Sequence, residues 1–329
     1  MNVLGDILSL TIIFTVPLLL VALGGMFSER SGVVNIALEG IMVIGALVSF
    51  LYMSKIRDSA FAAATPVLAT LTGVAVAAVA GMVFALLLAF ASIHLKADQT
   101  IGGTALNMFA PAFAILLTWT IQGQGQTAIY TPPWARISPT VFGADLQNLN
   151  FFQRVFLKEF FITTPLAIFI LILVIIVLYK TKFGLRLRSC GEHPQAADSV
   201  GVNVYFMRYA GVGISGLLGG IGGFAYALAA GAGFSATVSG YGFLALAVMI
   251  FGNWKPLRIV GAASLFAFFK VISAMATAIP FLPSFQKISG GEYIYLMVPY
   301  VVTMIVLAFT SKRSRAPKAS GIPYDKGAR

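Results

Sequence analysis

The stretch ERSGVVNIALEGIMVIGALVSF, residues 29–50, decides the fold because most of it is apolar and it continues to residue 53. A run of about 20 predominantly apolar residues is long enough to cross the hydrocarbon core of a bilayer as a helix. Beyond Glu29, Arg30 and Ser31 at its start, Asn35 and Glu39 are its strongest polar interruptions. A charge near the bilayer centre costs at least about 2.5 kcal/mol, so these two side chains need a structural or functional reason to be there.

The composition of the whole chain agrees with a membrane location. Of the 329 residues, 59% are hydrophobic and 10% are charged, whereas soluble domains carry about 25% charged residues. The single cysteine, Cys190, excludes an intramolecular disulfide, and we expect no metal site and no cofactor bound by this chain. The net charge of +11 comes largely from residues 180–208 and the tail after Ser311. Such clusters mainly set membrane topology, so nucleic acid is not an expected partner.

Apolar runs of membrane-spanning length recur along the chain and predict an all-α integral membrane protein. We expect a polytopic helical bundle of about nine transmembrane helices, with a range of about eight to ten. The predicted spans are 7–27, 33–53, 66–93, 101–119, 161–179, 205–230, 241–252, 259–279 and 293–310. Residues 1–311 are predicted to form the transmembrane domain, and residues 312–329 a basic C-terminal tail.

The distribution of charge predicts the orientation of the bundle. Loop 180–204 and the tail are rich in Lys and Arg, so both are expected in the cytoplasm. Segment 120–160, which is polar with little charge, is then expected outside. Nine spans place the N-terminus outside and the C-terminus in the cytoplasm.

Ser31, Asn35 and Glu39 follow one another at intervals of four residues, so a continuous helix would carry them on one stripe. Glu39 would lie about 12 Å along the helix from Ser31. Three interpretations are open: the stripe braces neighbouring helices, lines a translocation path, or carries a proton-coupled carboxylate. Lys270, inside the predicted span 259–279, either snorkels to the interface or faces the bundle interior.

A second polar patch, HLKADQTIGGTALNMF at 94–109, lies where a loop enters a helix. Helix capping accounts for Asp98 or Thr100. Thr104 and Asn107 lie one turn apart, and we predict that both border the same path as the stripe.

Two glycine patterns bear on how helices pack. YAGVGISGLLGGIGG, 209–223, contains small-xxx-small pairs, which let helix backbones approach closely in lipid. The predicted helix-packing residues are Gly216, Gly219, Gly220 and Gly223. The segment GAGFSATVSGYGF, 231–243, is too irregular for a lipid-facing helix and is expected beside a wet cavity. Part of it, SGYGFLALAVMI at 239–250, faintly echoes SGVVNIALEGIM at 31–42, as in transporters built from repeats.

The chain has no G-x-x-x-x-G-K-[ST] motif, so it does not cradle ATP phosphates by that device. Energy from nucleotide would have to come from a partner. The segment GEHPQAADSVGVNVYFMRY, 191–209, has Pro194 near its start and joins two predicted spans. A structured loop of this kind suits a membrane protein that receives force from a soluble motor.

Three stretches together resemble the membrane permease subunits of bacterial ABC importers. SERSGVVNIALEGIMVIGA (28–46), KADQTIGGTALNMFA (96–110) and GEHPQAADSVGVNVYFMRYAGVGISGLLGGIGG (191–223) are similar to the family of ribose-type sugar and branched-chain amino-acid permeases. Within it, they most resemble the nucleoside or simple-sugar permeases. The resemblance implies a location in the bacterial cytoplasmic membrane.

The resemblance also implies that QAADSVG, 195–201, acts like the EAA-type loop that couples a permease to its ATPase. Two alanines and a glycine stand at the spacing of that motif, with Gln195 in place of the usual glutamate. The predicted coupling residues are Glu192, Gln195, Ala196, Ala197, Asp198 and Gly201.

The resemblance also implies three partners. They are a cytoplasmic ABC ATPase that binds ATP and Mg²⁺, a second and non-identical permease, and an extracytoplasmic substrate-binding lipoprotein. Nucleoside import by alternating access is the expected function. Import of simple sugars or branched-chain amino acids, and proton-coupled transport through Glu39, are the alternatives.

Overall fold

The computed structural model describes residues 3–137, 139, 150–231, 233–276, 283, 291–310 and 315–327. Within these residues the regular structure is helical, apart from two isolated antiparallel bridges, Ile129 with Phe234 and Ile137 with Phe160. The predicted all-α membrane architecture is therefore confirmed.

Seven of the described helices are long and apolar enough to cross a bilayer. In chain order they are α1 (Val3–Ser31), α2 (Leu38–Ile56), α4 (Pro66–Ile93), α5 (Gln99–Gln122), α7 (Thr163–Lys180), α10 (Val204–Ala229) and α12 (Pro256–Ala274). Two further apolar helices are α11 (Tyr241–Phe251) and α13 (Gly291–Thr310). The remaining α-helices are α3 (Ala60–Ala64), α6 (Phe151–Leu157), α8 (Lys182–Glu192) and α9 (Pro194–Ser199).

Each predicted span overlaps one of the nine apolar helices. Helix α11, with 11 residues, is about 16 Å long, which is too short to cross a bilayer alone. Residues 277–279 of one predicted span, residues 138 and 140–149 of the predicted outer segment and the predicted domain boundary at 311/312 lie outside the described residues.

Helix α10 lies at the centre of the bundle, where it packs against α1, α2 and α4. Its glycines make the close approach possible. A methyl group on Gly220 would meet the backbone of Ala77 on α4, and one on Gly223 would meet the backbone of Met42 on α2. Of the four glycines singled out from the sequence, Gly216 and Gly220 face α4, and Gly219 and Gly223 face α2.

The predicted span 33–53 differs from the structure at its beginning. Helix α1 continues to Ser31, the chain then turns at Gly32 (φ +96°), and α2 begins only at Leu38. We call residues 32–37 the break. Non-helical backbone is tolerated at membrane depth where it is buried in protein, and most of the break is buried.

The predicted helical stripe of Ser31, Asn35 and Glu39 is therefore wrong as geometry. Ser31 is the last residue of α1, Asn35 lies in the break, and Glu39 lies in the first turn of α2. Spacing by four residues places side chains on one face only while the helix is continuous.

The C-terminal segment, residues 315–327, follows the bundle without forming a helix. It lies against the end of the bundle that carries α8 and α9, because the Ala319 N–H donates to the Gly191 carbonyl at 2.8 Å. Ala319 and Tyr324 are buried in this contact. The predicted basic tail thus packs on the helical domain over its described residues.

Candidate functional site

Glu39 joins the beginnings of two helices. Its Oε1 accepts a hydrogen bond from the Gly240 N–H at 2.8 Å, and its Oε2 accepts one from the Gly242 N–H at 2.6 Å. These glycines lie at the first turn of α11, and Glu39 lies in the first turn of α2. We call Glu39, Gly240 and Gly242 the helix-end junction.

The choice of a carboxylate at the junction follows from helix electrostatics. The N-terminus of a helix carries unpaired N–H groups and a partial positive charge. The two helices approach so closely that a methyl group on Gly242 would overlap the backbone of Glu39. An anion between two positive helix ends is stabilised by both of them. The Glu39 carboxylate therefore supplies the negative charge and the hydrogen-bond acceptors that the two helix N-termini lack.

The junction also joins the two sequence stretches that echo one another. Residues 31–42 contain the break and the start of α2, and residues 239–250 contain the start of α11. Each stretch thus leads from irregular backbone into a helix. In many transporters such interrupted helices meet near the bilayer midplane, where the substrate passes.

Two contacts with α10 place the junction near the middle of the bundle. The Asn35 side-chain N–H donates to the Ser215 hydroxyl at 2.8 Å. Ile41, just beyond Glu39, packs against Gly219. Since α10 runs from Val204 to Ala229, both contacts fall near its midpoint.

A cavity of about 360 Å³ opens beside the junction. Its volume lies at the low end of the range for small-molecule sites. Lys270 contributes to its wall, and the Lys270 Nζ lies 5.2 Å from the centre of the Tyr241 ring. The lining residues are Ser239, Gly240, Phe243, Leu244, Ala247, Lys270 and Pro299.

The open backbone of the break is bonded by two side chains of α5. The Val34 N–H donates to the Gln99 Oε1 at 2.7 Å. Asn107 donates from Nδ2 to the Ile36 carbonyl at 2.7 Å and accepts the Gly40 N–H at 2.8 Å. These bonds replace those of a continuous helix, which gives the buried break the partners that backbone groups require.

The predicted path residues are thus only partly brought together. Asn35 and Asn107 lie at the break with Glu39 beyond it, and the Asn35 Oδ1 is buried without a hydrogen-bond partner in the described part of the chain. The Ser31 hydroxyl instead bonds the Ser28 carbonyl within α1.

Thr104 does not share the environment of Asn107. Its side chain is exposed, and its hydroxyl donates to the Thr100 carbonyl at 2.7 Å. The border between the buried and exposed faces of α5 falls between these two residues. At the start of α5, Asp98 accepts the Thr100 and Ile101 N–H groups, and these bonds lower its pKa. This is the predicted cap.

The predicted coupling residues surround α9, with different exposures. Ala197 is only 3% exposed, packed in a cluster with Cys190, Val204, Met207 and Tyr324. Of the predicted coupling residues on α9, Gln195 and Ala196 are exposed. The others are placed as follows: Glu192 ends α8, Asp198 lies near Tyr324, and Gly201 follows α9 with φ +81°.

Sequence reasoning missed several buried polar residues. Glu29 lies inside α1, and its Oε2 accepts the Trp254 Nε1–H at 2.7 Å. Arg208 lies inside the predicted span 205–230 and is 1% exposed. A charge inside an apolar span is the signal that could have found Arg208. Gln99 and Tyr324 give no comparable signal, because the role of each depends on a residue that is far away in the sequence.

The chain matches one family model, "Branched-chain amino acid transport system / permease component", over residues 7–307. It is 41% identical to "Guanosine ABC transporter permease protein NupQ" of Bacillus subtilis (strain 168), over 100% of this chain and 99% of that protein. It is 40% identical to "Nucleoside ABC transporter permease protein NupC" of Lactococcus lactis subsp. cremoris (strain MG1363), over 99% and 98% of the two chains.

A weaker similarity is to a second permease of the same Lactococcus strain. "Nucleoside ABC transporter permease protein NupB" is 25% identical over 49% of this chain and 44% of that protein. No solved structure matches the chain.

Proposed function

We infer the function from one premise: the chain belongs to the branched-chain amino acid transport system / permease component family, whose model covers residues 7–307. It is therefore a multi-pass membrane permease and a transport subunit, not an enzyme. We propose that it moves nucleosides as part of an ATP-driven ABC importer. Its full-length similarity to two permeases named for guanosine and nucleosides carries this proposal.

The candidate site is compatible with an uncharged substrate that forms hydrogen bonds. The helix-end junction holds Glu39 with both oxygens bonded, so its charge is already balanced by backbone N–H groups. The neighbouring cavity offers the Phe243 ring and the Lys270 amine, and the Asn35 Oδ1 is a buried acceptor without a partner among the described residues. We propose that the path runs past the junction, where Glu39 holds the two helices together, and that the residues lining the cavity form part of the path's wall.

The proposed orientation places α8 and α9 in the cytoplasm of a bacterial cell. Helix α8 carries a cluster of Lys and Arg, which favours retention inside. Helix α1 begins at the opposite end, where Asp6 pairs with Lys158 at 2.8 Å, and it ends beside Gly191. The N-terminus is thus proposed outside and the C-terminus inside, in the cytoplasmic membrane.

The proposed partners are a cytoplasmic ATPase that binds ATP and Mg²⁺, a second permease and an extracytoplasmic substrate-binding lipoprotein. Two different permeases of one Lactococcus strain, NupB and NupC, are both similar to this chain. This supports a non-identical permease as the partner. The exposed face of α9 is the proposed contact for the ATPase.

The decisive experiment measures uptake by the complex assembled from this chain and its partner subunits. In cells that lack other nucleoside uptake, we expect accumulation of radiolabelled guanosine, and competition by other nucleosides but not by ribose or leucine. A complex with a catalytically inactive ATPase should not accumulate substrate. Uptake of ribose or leucine with no uptake of any nucleoside would contradict the proposal.

The same ATPase variant separates this proposal from proton-coupled transport through Glu39. Proton relays usually use several intramembrane ionisable groups, and both oxygens of Glu39 already accept backbone bonds. Uptake that persists with the inactive ATPase and collapses with a protonophore would establish the competing mechanism.

ATPase docking at α9 is tested with two neighbouring cysteine variants, after replacement of Cys190 by serine. Ala196 is exposed and Ala197 is buried, so they form a matched pair. Ala196→Cys should crosslink to the ATPase, whereas Ala197→Cys should not. Labelling of Ala196→Cys by a membrane-impermeant reagent added outside intact cells would refute the orientation.

A further inference from the structure

The C-terminal segment bonds two distant parts of the chain through residues that are nearly adjacent. The Ala319 N–H donates to the Gly191 carbonyl at 2.8 Å, and the Gly321 N–H donates to the Gly32 carbonyl at 3.3 Å. Gly191 lies in the last turn of α8, three residues before α9 begins, and Gly32 begins the break. Two residues of extended chain span at most about 7 Å, so the two bonded carbonyls cannot separate far without losing a bond.

The place where these groups meet is tightly packed. A methyl group on Gly191 would overlap the Arg30 carbonyl at the end of α1. A methyl group on Gly32 would lie 3.0 Å from the Arg208 Nη2 and 3.4 Å from the Ala319 carbonyl oxygen. Closely packed contacts of this kind have low compressibility and transmit displacement.

Tyr324 attaches the same segment directly to α9. Its side chain is 4% exposed and packs with Ala197 of α9 and with Cys190. Burial, together with the nearby Asp198 carboxylate, raises the pKa of Tyr324 to about 12. The hydroxyl therefore stays protonated and can donate at any physiological pH.

Asp325 extends the attachment to the loop before α5. The Lys96 Nζ lies 2.8 Å from the Asp325 Oδ2. Three residues after Lys96, α5 begins with Gln99, which bonds the break. The C-terminal segment is thus linked to the break in two ways. It bonds Gly32 directly, and it contacts Lys96 just before α5, the helix whose side chains bond the break.

We propose that the C-terminal segment couples α9 to the break, with Tyr324 as the positioning residue that keeps α9 in register with the candidate site. This inference rests on the proposed function, because it takes α9 as the ATPase contact. Movement of α9 on ATP binding is passed through residues 319–321 to Gly32, and from the break to the helix-end junction. The segment is then part of the transport cycle and not only a support for the fold.

The experiment compares variants of the complete complex, with its partner subunits, in proteoliposomes. Tyr324→Phe removes only the hydroxyl. Gly321→Pro removes the N–H that bonds Gly32 and also forbids the φ of +82° that Gly321 adopts, so it detaches the segment more severely. Lys326→Ala is the matched control, since Lys326 is an exposed charge in the same segment. Nucleoside uptake and ATP hydrolysis are measured on the same preparation, and the readout is the number of nucleosides imported per ATP hydrolysed.

We expect import per ATP to fall about fivefold to tenfold in Tyr324→Phe, because the buried hydroxyl beside Asp198 is lost, and further in Gly321→Pro, because a backbone bond to the break is lost. ATP hydrolysis should stay within about twofold of wild type, since the nucleotide site lies in the ATPase. Lys326→Ala should behave as wild type. A merely stabilising segment would lower uptake and hydrolysis together through loss of complex.

Cys190 provides a second readout that does not depend on transport. It is fully buried in the cluster that Tyr324 closes, and burial raises its thiol pKa. Alkylation of Cys190, followed by mass spectrometry of this chain, should be slow in wild type and about tenfold faster in Gly321→Pro.

Two results would refute the inference. Import per ATP within about twofold of wild type in Tyr324→Phe would remove the positioning role. Faster alkylation of Cys190 in Gly321→Pro with wild-type import per ATP would show that the segment docks but does not couple. Both differ from failure of the proposed function, in which the wild-type complex itself imports no nucleoside.

Discussion

Replacement of Glu39 tests whether the helix-end junction holds α2 against α11. The carboxylate accepts two backbone hydrogen bonds, at 2.8 and 2.6 Å. A hydrogen bond to a charged group contributes about 1.5–3 kcal/mol. Glu39→Gln keeps one acceptor oxygen and turns an amide N–H toward a backbone N–H. We therefore expect it to lower the free energy of unfolding by about 2–3 kcal/mol.

Glu39→Ala removes both acceptors and leaves the N–H groups of Gly240 and Gly242 without their partner. We expect a larger loss, about 3–5 kcal/mol, from two unsatisfied donors and the lost neutralisation of two helix ends. At about 2 °C per kcal/mol for a large chain, the melting temperature of the purified complex should fall by about 5 °C for Gln and about 8 °C for Ala.

The assay combines thermal unfolding in detergent with nucleoside uptake by complexes that still hydrolyse ATP. Asp58→Asn is the matched control, since Asp58 is exposed and its loss also removes one negative charge. We expect Glu39→Ala to abolish uptake and Asp58→Asn to leave both measurements unchanged. A Glu39→Ala complex with a wild-type melting temperature and wild-type uptake would refute the bracing argument.

Three further substitutions probe the packing, the break and the cavity. Gly220→Val should prevent assembly, because the valine side chain would collide with the backbone of a neighbouring helix, and the complex should be lost on size exclusion. Gly261→Val, at a position where nothing lies within 4 Å, should assemble normally. Asn107→Ala should cost about 2–4 kcal/mol by leaving two backbone groups unpaired, measured as a lower melting temperature, whereas the exposed Thr104→Ala should cost nothing. Lys270→Met keeps the aliphatic stem of the side chain but removes the amine from the cavity wall. The KM for nucleoside should therefore change about fivefold or more, while the melting temperature stays unchanged. An unchanged KM would contradict a role of Lys270 in the path.

The membrane helices were predictable because hydropathy reports length and apolar character, and both are local properties. The start of α2 was not, because residues 32–37 remain apolar enough to extend a span. What interrupts the helix there is the φ of +96° at Gly32 and the bonds from Gln99 and Asn107. Those partners lie 65 and 71 residues away in sequence, where periodicity carries no information.

The candidate site was predictable in its residues but not in their arrangement. Glu39 and Asn107 were singled out as polar groups in apolar surroundings, and both are buried where α2 begins. Their partners, Gly240 and the Ile36 carbonyl, are backbone groups that no side-chain pattern marks. Ala197 shows the reverse case, since a motif resemblance gives its position along the chain but not that Tyr324 covers it.

The helix-end junction has a consequence for how the protein is made. Glu39 and Gly240 are 201 residues apart, so at about 5–20 residues per second the ribosome needs about 10–40 s to supply α11 after Glu39. During that time the beginning of α2 has no partner for its carboxylate, although Gln99 and Asn107 reach the break sooner. The Glu39 carboxylate therefore waits in an apolar helix until the final third of the chain is made, and the insertion machinery must keep it from lipid until then.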